Sequence, residues 1–293
     1  MRLGICLPHY GVTMEADRIR QFAERVEALG FDSIWVTDHV IVPKSLSIVY
    51  QESMLDPLAT LSYLAGVTSR LSLGTSVIIL PYRNPITVAK EVASADLLSD
   101  GRVIFGAAAG WMEGEFRALN ADFKNRGAVS DEYLQVIREL WTNPEPAFQG
   151  DRIHLSDVVF SPQPAQKPHP PIWIGGRSRR AIRRAVELGD GWHPNMLSYE
   201  EMQQSVEYMN RLSSSRGRQV PPALSARAGV DFDGRPGESR AALVGSGQEM
   251  AETLRRQESL GVDHVIASFP EVPMDQALEL LERFAAEVLP AVR

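Results

Sequence analysis

Cysteine is nearly missing from this chain: Cys6 is the only one in 293 residues. A lone thiol forms no internal disulfide, so the expected compartment is the reducing cytoplasm. Excess positive charge is missing too. Lys and Arg number 30 against 37 Asp and Glu, a net charge of −7, so neither nucleic acid nor an acidic membrane is an expected partner. No apolar run is long enough to cross a bilayer, and no signal-peptide pattern opens the sequence. Histidines 9, 154, 169 and 264 lack metal-ligand spacing, and neither H-x-H nor H-E-x-x-H occurs, so no metal is expected. The G-x-S-x-G elbow of serine hydrolases is absent, as is a G-x-G-x-x-G after the first strand. No lysine lies clearly at a strand end for Schiff-base chemistry.

What is present is an alternation. Apolar strand-like runs at Arg2–Leu7, Ser33–Thr37, Leu71–Ile79, Arg102–Gly106, Pro171–Ile174, Asp190–Trp192, Leu224–Val230 and Val262–Ser268 are separated by stretches of helical period. Helix starts are signalled by Asp56-Pro57, Asn84-Pro85 and Ser178. About eight βα repeats in this length predict an α/β protein, a (β/α)8 TIM barrel forming a single domain over residues 1–293. The Pro-rich segment Asn143–Pro170 and the Gly-rich segment Asp231–Gly247 read as insertions after strands 4 and 7.

In such barrels the loops after the strands build the active site. The residues to watch are therefore Asp38-His39, Ser76-Val77, Gly106 to Glu115, Gly175 to Ser178 and Trp192-His193. Pro171-Ile-Trp-Ile-Gly-Gly-Arg-Ser178 carries the most chemistry. A strand, a two-glycine turn and a helix N-terminus make an anion site, and Arg177, Arg179 and Arg180 add positive charge. The same letters also describe an ordinary βα turn before a solvated basic helix. His39 is the strongest acid/base candidate, because imidazole titrates near working pH and a strand end holds it rigidly. Taken alone, a Thr-Asp-His triplet is more often a hydrogen-bonded loop. A phosphate cradle, one histidine and several aromatics fit an enzyme in which a cofactor reacts and the protein orients.

The segments Ser33-Ile-Trp-Val-Thr-Asp-His39, Leu73-Gly-Thr-Ser-Val77, Arg83-Asn-Pro85, Ser99-Asp-Gly-Arg102, Gly106 to Phe116, Pro170 to Gly176 and Gly189-Asp-Gly-Trp192 occur in this order. In that order and spacing they resemble the luciferase-like flavin and deazaflavin oxidoreductases, the luciferase-like monooxygenase superfamily, and within it the F420-dependent branch. The likeness covers residues 1 to about 195, with a weaker echo in Gly245–Phe269.

The resemblance implies a cofactor at the C-terminal end of the strands. Gly175, Gly176, Arg177 and Ser178 would hold its phosphate, and Ser76-Val77, often a cis link in this family, would press on its ring. Asp38 and His39 would stand beside the ring, with Ala108, Gly110 and Trp111 lining the site. Some deazaflavin members carry a glutamate where this chain has Trp111. Glu113 and Glu115 are the nearby substitutes, and Glu115 joins His39 and Asp38 as a candidate catalytic residue. The implied cofactor is F420, with hydride transfer to or from a small organic molecule. FMN with oxygen chemistry, that is monooxygenation, is the alternative, and a non-catalytic flavin-binding barrel a third. A homodimer is the implied assembly. The loops Ile41–Met54 and Asn143–Pro170 are expected to shape the substrate pocket.

Overall fold

The computed structural model describes residues 1–10, 15–44, 54–234 and 242–293. The helix start expected at Met14, most of the loop Ile41–Met54 and the middle of Asp231–Gly247 lie outside them. Eight parallel strands form the barrel: β1 (Arg2–Cys6), β2 (Ser33–Val36), β3 (Ser72–Thr75), β4 (Val103–Ala108), β5 (Ile172–Gly175), β6 (Gly191–His193), β7 (Ala223–Asp231) and β8 (Val262–Ser268). Each pairs with the next, and β8 closes on β1 through the register Arg2↔His264 to Ile5↔Ala267. The expected barrel is present.

The outer helices are α1 (Ala16–Ala28), α2 (Pro57–Val67), α3 (Pro85–Leu98), α4 (Arg126–Thr142), α5 (Arg179–Leu188), α6 (Tyr199–Ser215), α7 (Gly247–Glu258) and α8 (Met274–Glu287). Three begin where the sequence signals them. Asp56 accepts from the Leu58 and Ala59 amides, Asn84 from Ile86 and Thr87, and Ser178 from Ala181. In α1, Ile19, Phe22, Ala23 and Val26 recur at helical spacing and are buried against the barrel. Each of the larger three contributes ~1.5–3 kcal/mol of apolar burial.

The barrel interior is filled mainly by aromatic rings. Trp35 and Trp173 stack at 5.2 Å, and His264 meets both edge-on at 5.7 and 5.4 Å. Small residues make the room: a β-carbon on Gly74 would come 2.1 Å from the Trp35 ring, and one on Gly191 2.6 Å from Trp173. Cys6 packs in this cluster, buried.

Two expectations need correction. The third strand does not run unbroken from Leu71 to Ile79; it stops at Thr75, the Ser76–Val77 peptide is cis, and Ile78–Ile79 resumes the pairing with β4. The break has a side-chain cause as well. Thr75 Oγ1 occupies the ladder position, accepting from the Gly106 amide and donating to the Gly106 carbonyl, both at 2.8 Å. None of the segment 143–170, expected to shape the substrate pocket, lines the cavity at the C-terminal ends of the strands; Arg152 pairs with Asp122, and the segment's far part lies at the opposite end of the barrel. Gln166 is held there by Asp96 and by the carbonyl of Val103, the first residue of β4.

Candidate functional site

A cavity of about 420 Å³ opens at the C-terminal ends of the strands. Every candidate catalytic and cofactor-binding residue lines it except Glu115, which stands directly behind His39, while Arg179, expected to add charge there, lies over the Tyr208 ring instead. The segments that meet there follow β2, β3, β4, β5 and β6, with a side chain from within β7.

One wall is built from glycine and arginine. β5 ends at Gly175, and Gly176 turns the chain with φ +114°, a left-handed conformation that L side chains avoid. Trp192 Nε1 donates to the Gly176 carbonyl at 2.8 Å and braces the turn. Ser178 then caps α5, whose apolar face of Ala181, Ile182, Ala185 and Val186 is buried. The helix N-terminus is thereby aimed at the cavity, a disposition that favours negative charge. Lys124, Arg126, Arg177, Arg180 and Arg184 line the same wall. Arg177 pairs with Glu201 at 3.4 Å and Arg184 with Asp131. Lys124, Arg126 and Arg180 have no carboxylate partner among the described residues.

The opposite character appears after β2 and β4. Glu115, in the short helix Glu113–Ala118, is fully buried and accepts four hydrogen bonds. Oε1 takes the amides of Val40 (2.6 Å) and Ile41 (3.2 Å), while Oε2 takes His39 Nδ1 (2.9 Å) and Tyr82 Oη (3.1 Å). Burial alone would raise its pKa, but the His39 contact and the two amides outweigh it and hold the carboxyl below the ordinary glutamate range. Burial and the adjoining Glu115 push the Tyr82 hydroxyl up, so it stays a donor. Glu113, two residues away, is exposed.

Asp38 is buried beside them. Its Oδ2 accepts from the Ile79 amide at 2.8 Å and from Arg83 Nη1 at 2.6 Å, and Arg83 continues to Asp56 at 2.8 Å. Burial raises the Asp38 pKa above the usual aspartate range against the pull of Arg83. Its second oxygen, Oδ1, is buried with no partner among the described residues.

Ser76 and His193 form the floor. Ser76 Oγ and His193 Nε2 are 2.9 Å apart, and His193 Nδ1 reaches Ser225 Oγ at 2.8 Å. Burial, with Arg227 assisting, lowers the His193 pKa to about 3, so this ring is neutral at any working pH. Val77 packs toward β5: a β-carbon on Gly175 would lie 3.0 Å from Val77 Cγ1. Gly110 (φ +79°) leaves no space for a side chain either, since a β-carbon there would meet Ile79 at 2.6 Å. Trp111 stands at the rim, 55% exposed.

Sequence reasoning missed Tyr82, Arg83, Lys124, Arg126, Arg184 and Arg227. Arg83 does sit between a strand end and the helix signal Asn84-Pro85, and Arg227 is the lone charge inside a small-residue strand. Those were the available signals. Lys124 lies just ahead of α4 and Arg126 opens it, and neither carries such a signal.

The family model described as luciferase-like monooxygenase matches residues 1–233. An uncharacterised protein of Mycobacterium tuberculosis is 27% identical over 299 residues, covering 96% of this chain and 98% of its own. An F420-dependent glucose-6-phosphate dehydrogenase of Amycolatopsis mediterranei is 34% identical over 178 residues, covering 59% of this chain and 51% of its own. An FMNH2-dependent dimethylsulfone monooxygenase of Pseudomonas putida is 29% identical over 166 residues, covering 56% and 46%. Among solved structures, the monooxygenase RslO1 of Streptomyces bottropensis superposes with a TM-score of 0.84 over 100% of both chains, at 21% identity. That likeness speaks to the fold.

Proposed function

Because the chain belongs to the luciferase-like monooxygenase family, we propose that it is an F420-dependent oxidoreductase moving a hydride between the deazaflavin and a small organic substrate. The observation that carries this is the cationic wall. In a chain of net charge −7, five Lys or Arg side chains line that wall, Lys124, Arg126, Arg177, Arg180 and Arg184, and Asp38 is the one carboxylate among the residues lining the cavity. A single phosphate needs the two-glycine turn and Arg177. F420 adds a chain of glutamates to its phosphodiester, and Lys124, Arg126 and Arg180 continue the positive surface beyond the turn. Relatives of both cofactor types support the family reading without choosing between them.

The residues present suit a flavin-type group. Gly175 and Gly176 leave a backbone cradle, and the unpartnered Asp38 Oδ1 is an acceptor for a ring N–H. Ser76 and Val77 give the ring a surface to rest on. When bound, the deazaflavin supplies a carbon that takes up or releases hydride. His39 then gives or receives the substrate proton. Glu115 fixes the His39 ring and compensates positive charge on it, which makes Glu115 a positioning residue rather than the proton donor itself. Asp38, tied to Arg83, holds the end of β2 so that His39 faces the cavity rim.

Titration of the purified protein with F420 and with FMN, each oxidised and reduced, tests the proposal through fluorescence and absorbance. Tight F420 binding with weak FMN binding is the expected result. Preference for reduced FMN would replace hydride transfer by monooxygenation, and binding of neither would leave the cradle to another phosphate-bearing ligand.

A further inference from the structure

The cation that the cofactor reading leaves unused is Arg227. It projects from β7, yet its Nη1 reaches the carbonyl of Ser76 at 3.4 Å. Ser76 follows β3, on the far side of an eight-strand barrel, so the guanidinium lies across the mouth rather than against its own strand. Its Nη2 donates to Ser268 Oγ at 3.1 Å, and its Nε has no acceptor among the described residues. No carboxylate pairs with it there either, whereas Arg177 and Arg184 in the same cavity are each ion-paired. The titratable groups facing it, His9, Tyr10 and His193, are all held uncharged, burial lowering the two histidines and raising Tyr10, whose hydroxyl also feels Glu271.

Asn195 stands next to it. The two segments are bridged, with the Met196 amide donating to the Arg227 carbonyl at 2.7 Å and the Arg227 amide to the Pro194 carbonyl at 3.0 Å. The Asn195 side chain lines the cavity and has no hydrogen-bond partner among the described residues. A guanidinium with donors to spare, its Nε unpartnered among the described residues, beside an exposed carboxamide on the same side of the cavity matches a planar or tetrahedral oxyanion. Leaving such a fork half-buried without a counter-charge is costly unless a ligand completes it.

The geometry points to Arg227 and Asn195 as the subsite for an oxyanion on the substrate, a carboxylate, sulfonate or phosphate, separate from the wall of Lys124, Arg126 and Arg180. This rests on the cofactor reading only in that a cofactor occupies the remainder of the cavity. The substrate class is then small organic anions, presented to His39 from across the barrel.

The test uses acetate and methanesulfonate as probes on the full chain at constant ionic strength, with thermal shift and calorimetry as readouts. Wild-type protein should bind a probe, and Arg227→Met should weaken it by about tenfold or more, the loss of one charge-assisted contact. Arg227→Lys, which keeps the charge without the fork, should fall between them and serves if the Met variant does not fold. F420 and FMN affinities should change less than threefold in either variant. No probe binding by wild type, or binding lost in Arg180→Met but kept in Arg227→Met, would overturn the subsite. A large loss of cofactor affinity in Arg227→Met would overturn it too, assigning the guanidinium to the cofactor ring. If neither cofactor binds but probe binding still depends on Arg227, the subsite stands and the cofactor reading fails.

Discussion

Two walls of one cavity differ in how their charges are used. After β2, β3 and β4 the charged groups are tied to one another: buried Glu115 accepts four hydrogen bonds, and Arg83 joins buried Asp38 to half-exposed Asp56. On the other wall Lys124, just ahead of α4, and Arg180, after β5, are exposed, Arg126 is half-buried and donates to the Gly110 and Phe123 carbonyls, and none of the three has a carboxylate partner among the described residues. Saturated groups hold one geometry and tune one proton. Unsaturated cations wait for an anion. In the proposed enzyme the first wall does the chemistry and the second holds the cofactor, and the contrast can be broken from either side.

The largest effect belongs to the first wall. Once a substrate is in hand, His39→Ala should lower turnover by ~10²–10⁴ while cofactor affinity stays nearly unchanged. Steady-state kinetics beside a binding titration checks this, and unchanged turnover would remove His39 from the acid/base role. Next comes Arg83→Met, which strands the Asp38 carboxylate in a buried site. A broken buried pair costs ~3–5 kcal/mol, so urea unfolding should show a loss of that size. The double variant Arg83→Met with Asp38→Asn should regain part of it, because the uncompensated charge is gone.

A third effect comes from below the site. His193 and His264 have their pKa values lowered to about 3 by burial, while the unfolded chain titrates near 6.5. The unfolded state therefore binds more protons between these values, and stability present above pH 6.5 is lost as pH falls toward 3. Each histidine adds at most ~1.4 kcal/mol per pH unit to that slope. His264→Gln should flatten the unfolding profile between pH 6 and 4 by up to this amount, a window of roughly two units inside the shift. The smallest effect is at the second wall: Ser178→Ala removes the α5 cap and should cost ~1 kcal/mol by the same unfolding assay.

The barrel was legible in the sequence because its signals are local. Strand runs such as Val262–Ser268 and caps such as Ser178 and Asn84 depend on neighbours a few residues away, and the structure places them where the letters do. The two-glycine turn and Asp38-His39 were legible for the same reason. The partners of those residues were not. Arg83 reaches Asp38 across 45 positions, Glu115 reaches His39 across 76, and Arg227 reaches Ser76 across 151. Such contacts are set by barrel closure, which no window of sequence reports. The same limit holds for 143–170: a long Pro-rich loop signals an excursion without saying which of its residues reach the cavity.

The division of the cavity is tested most directly by measuring F420 affinity in the wild type, Arg180→Met and Glu115→Gln by fluorescence titration. Arg180→Met should weaken binding by about tenfold, the worth of one charge-assisted contact, while Glu115→Gln stays within about threefold. Equal losses in the two variants, or a loss confined to Glu115→Gln, would contradict a cavity in which one wall holds the cofactor and the other handles the proton.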